Sequence, residues 1–374
     1  MKKMTVLLMA TMLATAASSS MAQTPNPNWQ KTWDETLAAA KKEGKVVVTG
    51  PPDAAVRTAL PAAFKARYGI TMEYLGAPAS EMGSKMRVER SAGVYTIDAA
   101  VTGAQTMYTV LYNEKLIDPL KPALILPEVT DPTKWKGGKL RFMDPEQQYI
   151  LRLINITATL FDINTRLVKP GEIRSTSDLL DPKWRGKIAM MDPTVSGAGG
   201  SMAAQLYAQK GEDFVKRLYV DQKPMIVRDR RQLTDWLTRG TYPIVFNADD
   251  EMVETRRKEG DPLVTVYALS DLPPSTTGGS GMLALIKNAP HPNAAKIFVN
   301  WMASKEGLET YARARGLATA RTDIDEKSFL PAALIPRPDV KYFDAHEWDF
   351  SVKTASKVRV WIKSLLGSGQ AQAQ

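Results

Sequence analysis

Apolar positions in the first part of the chain alternate between a helical period and a strand period. The segment TWDETLAAAKKEG places Trp33, Leu37 and Ala40 on one helical face and ends at a glycine, which predicts an amphipathic helix. The apolar run KVVVTG after it predicts a buried strand. Two more units repeat this order, ALPAAFKARYG with ITMEYLG and SEMGSKMRVERSAG with IDAAVTG. The succession predicts βαβ units in a largely parallel sheet, with a kink or a late helix start at Pro61.

The pattern changes after Leu120. The segment KPALILPEVTDPTKWKGGK is rich in proline, glycine and lysine and predicts a connecting loop. The next segment, YILRLINITATLFDIN, carries β-branched and aromatic residues from Tyr149 to Asn164. This run exceeds the roughly five or six residues of a typical strand. It predicts one unusually long strand that crosses from one domain to another.

A second α/β series occupies the following part of the chain. The apolar runs GKIAMMDP, KPMIVRD, YPIVFN and LVTVYAL predict strands, and helical patterns such as GGSMAAQLYAQKG and RQLTDWLTRG separate them. The segment PPSTTGGSGMLALI predicts a return crossing, and HPNAAKIFVNWMASKEGLETYARARG predicts one long helical region. Two α/β domains joined by strands that cross twice would form a cleft lined by strand ends and helix N-termini. Ligands bind in such crevices.

The N-terminus has the pattern of a cleavable secretory signal peptide. Lys2 and Lys3 precede an apolar run that ends near Ala17, and a small-residue triplet ends at Ala22, which is typical of a signal peptide over residues 1–22. The run is shorter than the roughly 20 residues of a membrane span. The sequence contains no cysteine, so neither a lipid-modified cysteine nor a disulfide is expected. The prediction is a periplasmic protein that is not lipidated.

Charge gives little support to a nucleic-acid or membrane surface. The net charge of the 374-residue chain is +9, and removal of Lys2 and Lys3 lowers it to +7. The remaining basic residues are interspersed with acidic ones, as in KKEGK and ETRRKEGD. This pattern favours a solvated, mildly basic surface.

The stretch PTVSGAGGSMAAQ, residues 193–205, combines small residues with a predicted helix start. It lacks the lysine of a Walker loop, the third glycine of a dinucleotide-binding loop and the first glycine of a nucleophile elbow. Two interpretations remain open on these residues alone. Ser196 caps a helix whose N–H groups bind an anion, or the stretch is a glycine-rich turn into an ordinary helix.

Seven segments, in order, resemble the type 2 periplasmic solute-binding proteins of ABC importers, in the ferric-iron-like extracellular branch. The segments are AFKARYGITMEYLG, VERSAGVYTIDAAVTG, LIDPL, FDINTRLV, SDLLDPKWRGKIAMMDP, GTYPIVFN and APHPNAAKIFVNWMASKEG. The resemblance implies an α/β fold of two lobes, each a mainly parallel sheet with flanking helices, that close on a ligand by hinge motion. It also implies delivery to an ABC permease in the inner membrane, with no catalysis and no cofactor. The predicted lobe boundaries are 23–152 plus 272–325 for lobe 1, and 153–271 plus 326–374 for lobe 2.

The resemblance also suggests positions for the binding site. Iron-binding relatives use a His, a Glu and a tandem Tyr pair, and the matching positions here are Asp53, Gly103, and Asp249 with Asp250. Without the phenolates, iron binding in the family's manner is not expected, and no metal site is predicted. The Ser-Gly-Ala triplet that grips an anion in those relatives matches Ser196, Gly197 and Ala198. Further candidates are Thr102 and Asn247 beside the matched positions, and Asn155 and Thr157 on the predicted crossing strand.

The leading hypothesis is a monomeric periplasmic protein that captures a small polar solute, anionic or zwitterionic, and binds no nucleic acid. One alternative is an exported hydrolase or lyase that uses Asp249 and Asp250 as an acid/base or metal pair. Another is a ligand-sensing partner of a membrane receptor, which would share the capture mechanism. Helix capping competes with ligand binding as the role of Asp53 and of the Asp249–Asp250 pair.

Overall fold

The structure is a computed structural model that describes residues 27–195 and 197–367, apart from the side chains of Ala79 and Ser80. The predicted signal peptide and Ser196 lie outside the described residues. The helices of the described part are α1 (Trp29–Glu43), α2 (Ala54–Tyr68), α3 (Ala79–Ser91), α4 (Ala104–Thr106), α5 (Pro127–Thr130), α6 (Ala198–Lys216), α7 (Arg230–Arg239), α8 (Asp250–Lys258), α9 (Pro292–Ala303), α10 (Lys305–Arg315) and α11 (Ala355–Leu366). Its strands are β1 (Lys45–Gly50), β2 (Thr71–Gly76), β3 (Ala99–Thr102), β4 (Ile117–Asp118), β5 (Leu151–Arg152), β6 (Ile156–Thr157), β7 (Phe161–Asn164), β8 (Ile188–Met191), β9 (Met225–Val227), β10 (Ile244–Phe246), β11 (Leu263–Val266), β12 (Ser275–Thr277), β13 (Met282–Ile286) and β14 (Phe343–Asp344).

The first sheet has the order β2-β1-β3-β13-β4, and β5 also pairs with β13. Strands β2, β1 and β3 are parallel, whereas β13 runs antiparallel to β3, β4 and β5. Helices α1, α2, α9 and α10 contribute to its main core, where the ring of Phe64 contacts those of Phe298 and Trp301. The predicted helix–strand units of this region are confirmed. In α1, Trp33 and Ala40 are buried and Leu37 is half-buried.

The second sheet has the order β11-β7-β10-β8-β9. Strands β10, β8 and β9 are parallel, and β7 runs antiparallel to β10 and β11. One face packs against α6 and α11 through residues such as Phe246, Leu206 and Ile362. The other face packs against α7 and α8 through residues such as Leu237 and Val253. The second α/β series predicted from the sequence therefore forms a sheet covered on both faces.

A third, small sheet has the order β14-β12-β6 and lies where the chain passes between the larger two. The single long strand predicted over Tyr149–Asn164 is wrong, because this run contains β5, β6 and β7, which belong to three different sheets. A chain that leaves one sheet for another must change partners and direction, which breaks a continuous apolar run into short strands. The apolar pattern does not record such breaks.

Two other predicted elements differ from the structure. Helix α2 begins at Ala54 and continues past Pro61, so a late start at the proline is wrong. The predicted single helical region after His291 is two helices, α9 and α10. Ser304 separates them, because its backbone is extended and its hydroxyl accepts a hydrogen bond from the N–H of Gly307, as an N-cap does.

A buried polar cluster joins the crossing strands to the C-terminal segment. Arg152 is fully buried and donates from Nη1 to Asp344, from Nη2 to Asn155 and from Nε to a backbone carbonyl. The ring of His346 accepts a hydrogen bond at Nδ1 from the N–H of Gly278, beside β12. Burial lowers the pKa of His346 to about 4, so the imidazole is neutral near pH 7 and Nδ1 keeps its lone pair. The strand β14 is thus bonded to both connections between the larger sheets.

Candidate functional site

The chain crosses between the two larger sheets at the carboxyl ends of their parallel strands. In the second sheet, β6 leads into the start of β7, and this start lies beside the ends of β10 and β11. In the first sheet, the start of β13 pairs with the end of β3, Met282 opposite Thr102. The crossing chain segments therefore leave each sheet at its carboxyl edge. The space between these two edges is the candidate site, at the position where ligands bind in open α/β sheets.

Asp53 lies at the carboxyl edge of the first sheet, three residues after β1 ends. Its Oδ1 accepts a hydrogen bond from the N–H of Val56 at 3.0 Å, which makes Asp53 the N-cap of α2. Its Oδ2 accepts a hydrogen bond from Nη1 of Arg315 at 2.9 Å. Both carboxylate oxygens are therefore engaged, and Asp53 serves as a cap and as an anchor for an arginine at the same edge.

Thr102 and Gly103 lie at the end of β3 at the same edge. Thr102 is buried as the last residue of the strand, and Gly103 is the N-cap of α4. A Cβ added to Gly103 would lie 3.8 Å from the carbonyl oxygen of Gly279, in the turn before β13. These residues contribute backbone and small side chains to this edge, and no charge.

The glycines at the start of α6 have a clear packing role. A Cβ on Gly199 would clash with the carbonyl oxygens of Asp192 and Met191, the latter at 2.6 Å, and a Cβ on Gly200 would lie 2.5 Å from the carbonyl oxygen of Val195. Gly197 is the N-cap, with φ of 135°, a region that favours glycine. Ala198 is the first residue of the helix. The stretch therefore lets α6 start directly against the end of β8, at the carboxyl edge of the second sheet.

An arginine and an aspartate stand beside this helix start. Asp192 follows β8, is 2% exposed and accepts hydrogen bonds from the N–H and hydroxyl of Thr194. Arg228 follows β9, and its Nε donates to Asp192 Oδ2 at 2.9 Å. Burial disfavours the charged form of Asp192, but the hydrogen bonds from Thr194 and Arg228 outweigh it, so the pKa of Asp192 lies below its usual value. The side chain of Arg228 is 65% exposed, and within the described part of the chain its two Nη groups have no hydrogen-bond partner.

The segment after β10 contains the other residues predicted for the carboxyl edge of the second sheet, which are Asn247, Asp249 and Asp250. Asn247 adopts a left-handed backbone conformation, with φ of 63°. The carboxylate of Asp249 accepts a hydrogen bond from the N–H of Met252 and caps α8. Asp250 pairs with Nη2 of Arg230 at 3.0 Å and accepts a hydrogen bond from the Thr159 hydroxyl. The two aspartates thus have different roles, because Asp249 caps α8 and Asp250 forms an ion pair with Arg230.

Thr157 lies on β6 and Asn155 directly precedes this strand, between the two edges. Asn155 is half-buried, and its Oδ1 accepts a hydrogen bond from Nη2 of Arg152 at 2.7 Å. This contact orients the amide and leaves its N–H₂ group as the free donor end. Thr157 is buried, and its hydroxyl has no hydrogen-bond partner among the described residues.

The structure adds two residues that the sequence did not suggest, Asp192 and Arg315, and it singles out Arg228 among the arginines at 228, 230 and 231, for which the sequence favoured surface charge over contact with an anion. Asp192 and Arg228 each follow a buried strand directly, and a charged residue at a strand's carboxyl end is a signal that sequence can provide. Arg315 ends a helix and reaches Asp53 across 262 residues of sequence, so no local pattern marks it. Within residues 27–195 and 197–367, no group of three or more His, Cys, Asp or Glu side chains is placed to hold a metal ion.

Two covered α/β sheets joined by crossing strands, with a cleft between their carboxyl edges, define a two-lobed binding protein. The chain belongs to the bacterial extracellular solute-binding protein family, whose model matches residues 59–335. A similar curated protein is an uncharacterized protein of Haemophilus influenzae, 28% identical over 266 residues, which are 66% of this chain and 69% of that protein. None of the helices in the described residues is long and apolar enough to cross a membrane.

Solved structures with the same fold are also binding proteins. Iron-bound HitA from Pseudomonas aeruginosa is 18% identical with a TM-score of 0.59, covering 86% of this chain and 97% of that one. AfuA from Actinobacillus pleuropneumoniae, with fructose-6-phosphate bound, is 18% identical with a TM-score of 0.62, covering 87% and 99%. Trichodesmium FutA, in complex with iron and citrate, is 13% identical with a TM-score of 0.66, covering 86% and 99%.

These findings confirm the predicted fold class and the resemblance on which it rested. The protein is an extracellular solute-binding protein, and its ligand is a small-molecule solute. The prediction that it is not an enzyme is confirmed by its family and by the binding proteins that share its fold.

Proposed function

We propose that this protein captures a small anionic solute in the cleft between its two sheets. The observation that carries the proposal is Arg228, whose Nε is anchored to Asp192 while both Nη groups remain available at an exposed position. An anchored guanidinium presents its remaining donors in a fixed fork that matches a carboxylate or phosphate. The nearby N-terminus of α6 adds a favourable dipole, and Ser196, outside the described residues, together with Gly197 and Ala198 would supply further donors.

The distribution of carboxylates favours an anion over a zwitterion. Asp53, Asp192 and Asp250 each pair with an arginine, and Asp249 caps a helix. Three of these four carboxylates are therefore neutralised by an arginine, and the fourth, Asp249, uses one oxygen for the helix start. The remaining predicted contacts, from Thr102, Gly103, Asn155, Thr157 and Asn247, are neutral groups that would hydrogen-bond the rest of the solute.

The structural neighbours do not identify the solute of this protein, because they bind different ligands. The ligands bound in these neighbours include iron, citrate and fructose-6-phosphate, and at identities below 20% the neighbours support the fold alone. The proposal therefore rests on the side chains of this chain, and the positions that would carry ferric ion in the resembling proteins hold Asp53, Gly103, Asp249 and Asp250 instead.

The same proposal includes the setting in which the protein works. It would be exported by a cleavable signal peptide over residues 1–22, remain unlipidated in the periplasm, act as a monomer and bind no nucleic acid. Lobe 1 would comprise residues 23–152 plus 272–325, and lobe 2 residues 153–271 plus 326–374. The division of the strands between the two large sheets supports these lobes, because β1–β5 and β13 share one sheet and β7–β11 the other.

The test is isothermal titration of the purified protein with carboxylates, phosphate and sugar phosphates selected by thermal shift. Arg228→Gln should weaken binding of the selected anion by roughly 1.5–3 kcal/mol, the range for a hydrogen bond to a charged group. Arg231→Gln is the matched control, since it removes the same charge from an exposed neighbour whose side chain makes no ion pair with a described residue. Equal affinity of wild type and Arg228→Gln would overturn the proposal.

A further inference from the structure

The first sheet carries a second anchored arginine, at the edge opposite Arg228. Arg315 is the last residue of α10, and its Nη1 donates to Asp53 Oδ2 at 2.9 Å. Tyr311, one turn earlier, donates from its hydroxyl to the carbonyl of Ser280, in the turn before β13. The end of α10 is therefore held at the carboxyl edge of the first sheet, where the cleft lies.

Arg315 has donors that the protein does not use. Its Nε is buried without a hydrogen-bond partner among the described residues, and its side chain as a whole is 27% exposed. Its Nη2 group is not buried and has no hydrogen-bond partner among the described residues, so this group can donate to an acceptor brought by a ligand. The nearby Tyr74 hydroxyl donates to the carbonyl of Pro51, so its hydrogen is already committed to the protein.

The two arginines are built in the same way on opposite edges. Each arginine is held by an aspartate that follows a parallel strand, which is Asp53 after β1 and Asp192 after β8. Each aspartate accepts one hydrogen bond from the guanidinium. It also accepts a hydrogen bond from a backbone N–H at the start of the following helix or turn. Each ion pair leaves further guanidinium donors free. The site thus presents one positive fork from each lobe.

Resting on the proposed anion-binding function, we infer that the solute carries two separated anionic groups, such as a dicarboxylate or a bisphosphate. One group binds Arg228 and the start of α6, and the other binds Arg315. A single anion could satisfy one fork and would leave the other without a partner. A dianion binds both lobes and therefore favours the closed arrangement over the open one.

The inference is tested by titrating two matched series of probes. The first series is the straight-chain dicarboxylates from malonate to adipate, each against the monocarboxylate of equal carbon number. The second is fructose-1,6-bisphosphate against fructose-6-phosphate. We expect one dianion to bind at least ~10-fold more tightly than its single-anion partner, the effect of one hydrogen bond to a charged group.

Three variants test whether Arg315 binds the second anionic group of the solute. Arg315→Gln should lower the affinity for the dianion to that of its single-anion partner, while the single anion binds as it does to wild type. Asp53→Asn keeps an N-cap of similar strength but removes the ion pair that anchors Arg315, so it should lower Tm and weaken the dianion while the single anion binds as it does to wild type. Arg313→Gln on the same helix is the control, because its guanidinium pairs with Glu309 instead.

The outcomes separate this inference from the proposed function. If single anions bind as tightly as dianions, and Arg228→Gln weakens both while Arg315→Gln weakens neither, the inference is wrong and the proposed function stands. If no anion of either series binds, or Arg228→Gln changes nothing, both are wrong. If Arg315→Gln weakens single and double anions equally, Arg315 belongs to one shared anion site and the inference is again overturned.

Discussion

Two buried aspartates of the second sheet show how local contacts set opposite charge preferences. Asp162, on β7, is 1% exposed, and its Oδ2 has no hydrogen-bond partner among the described residues. Burial raises the pKa of Asp162 to about 7, although the hydrogen bond from Thr265 opposes the shift. Asp192 has a similarly small exposed fraction but lies less deep in the protein, and its pKa is lowered because the hydrogen bonds from Thr194 and Arg228 outweigh burial. Burial therefore does not decide the charge state without its partners.

We expect Asp162→Asn to become relatively more stable than wild type as pH rises. The folded pKa of Asp162, about 7, lies above its unfolded value, so the native state holds a proton that the unfolded state loses between about pH 4 and 7. Wild type then loses up to about 1.4 kcal/mol of stability per pH unit across this window. Urea unfolding at pH 5 and pH 8 should show the difference between variant and wild type shifting by roughly 2–3 kcal/mol in favour of the variant.

Asp192→Asn is the control for this effect. The folded and unfolded pKa values of Asp192 both lie below pH 5, because the native contacts lower its pKa. Its contribution to stability is therefore complete from pH 5 to pH 8 and is lost only in more acidic solution. A pH-independent difference for Asp162→Asn over that range would contradict a raised pKa.

At the scale of elements, the start of α6 depends on glycines for packing before any ligand is considered. Gly199 and Gly200 allow the helix to begin against the carbonyl groups of residues 191, 192 and 195. The sequence left two interpretations of this stretch, an anion site or a glycine-rich turn. The structure shows that the turn requires these two glycines, and ligand binding at the same helix start remains a proposal.

Gly199→Ala should destabilise the protein by roughly 1–3 kcal/mol, the usual cost of overpacking. The added methyl group would meet backbone carbonyls, which cannot rotate away as a side chain can. Ser201→Ala, on the exposed face of the same helix, is the control and should leave stability within ~0.5 kcal/mol of wild type. Equal urea midpoints for wild type and Gly199→Ala would contradict the close approach seen here.

At the scale of the whole molecule, the crossing sheet joins two lobes that hold separate parts of the site. Strands β6 and β12 pass between the large sheets, and β14 pairs with β12 beside the buried Arg152–Asp344 ion pair. A bound solute that contacts both carboxyl edges would stabilise a closed arrangement about these strands. On the proposed function, motion between the lobes would therefore be coupled to binding.

We expect a saturating anion to compact the protein and to stabilise it. At 100 times its dissociation constant, a ligand that binds only the folded state adds about 2.7 kcal/mol to the free energy of unfolding. Small-angle X-ray scattering should show a smaller radius of gyration with ligand, and thermal unfolding a higher Tm. Arg228→Gln at the same ligand concentration should keep only about 0.3–1.3 kcal/mol of this stabilisation, because its binding is weaker by roughly 1.5–3 kcal/mol, and should show correspondingly less compaction. A Tm increase without compaction would count against closure.

The sequence by itself determined most helices and strands of the two large sheets and their order along the chain. Helix and strand periods predicted α1, β1, the second α/β series and the return crossing, because burial against a core imposes those periods on each local segment. The matching segments in their order were enough to predict the family and thus the two-lobed fold. Local chemistry also placed Asp53 and Asp249 at helix starts, where they cap α2 and α8.

Tertiary structure decided which charges meet. The pairing of Asp53 with Arg315, or of Arg152 with Asp344, joins residues far apart in sequence, and no local period encodes such a contact. It also divided Tyr149–Asn164 among three sheets, since the apolar pattern records burial but not the strand against which a segment pairs. Whether a polar side chain is free to bind a ligand depends on the partners that folding brings to it, which is why the aspartates that anchor Arg228 and Arg315 emerged only from the structure.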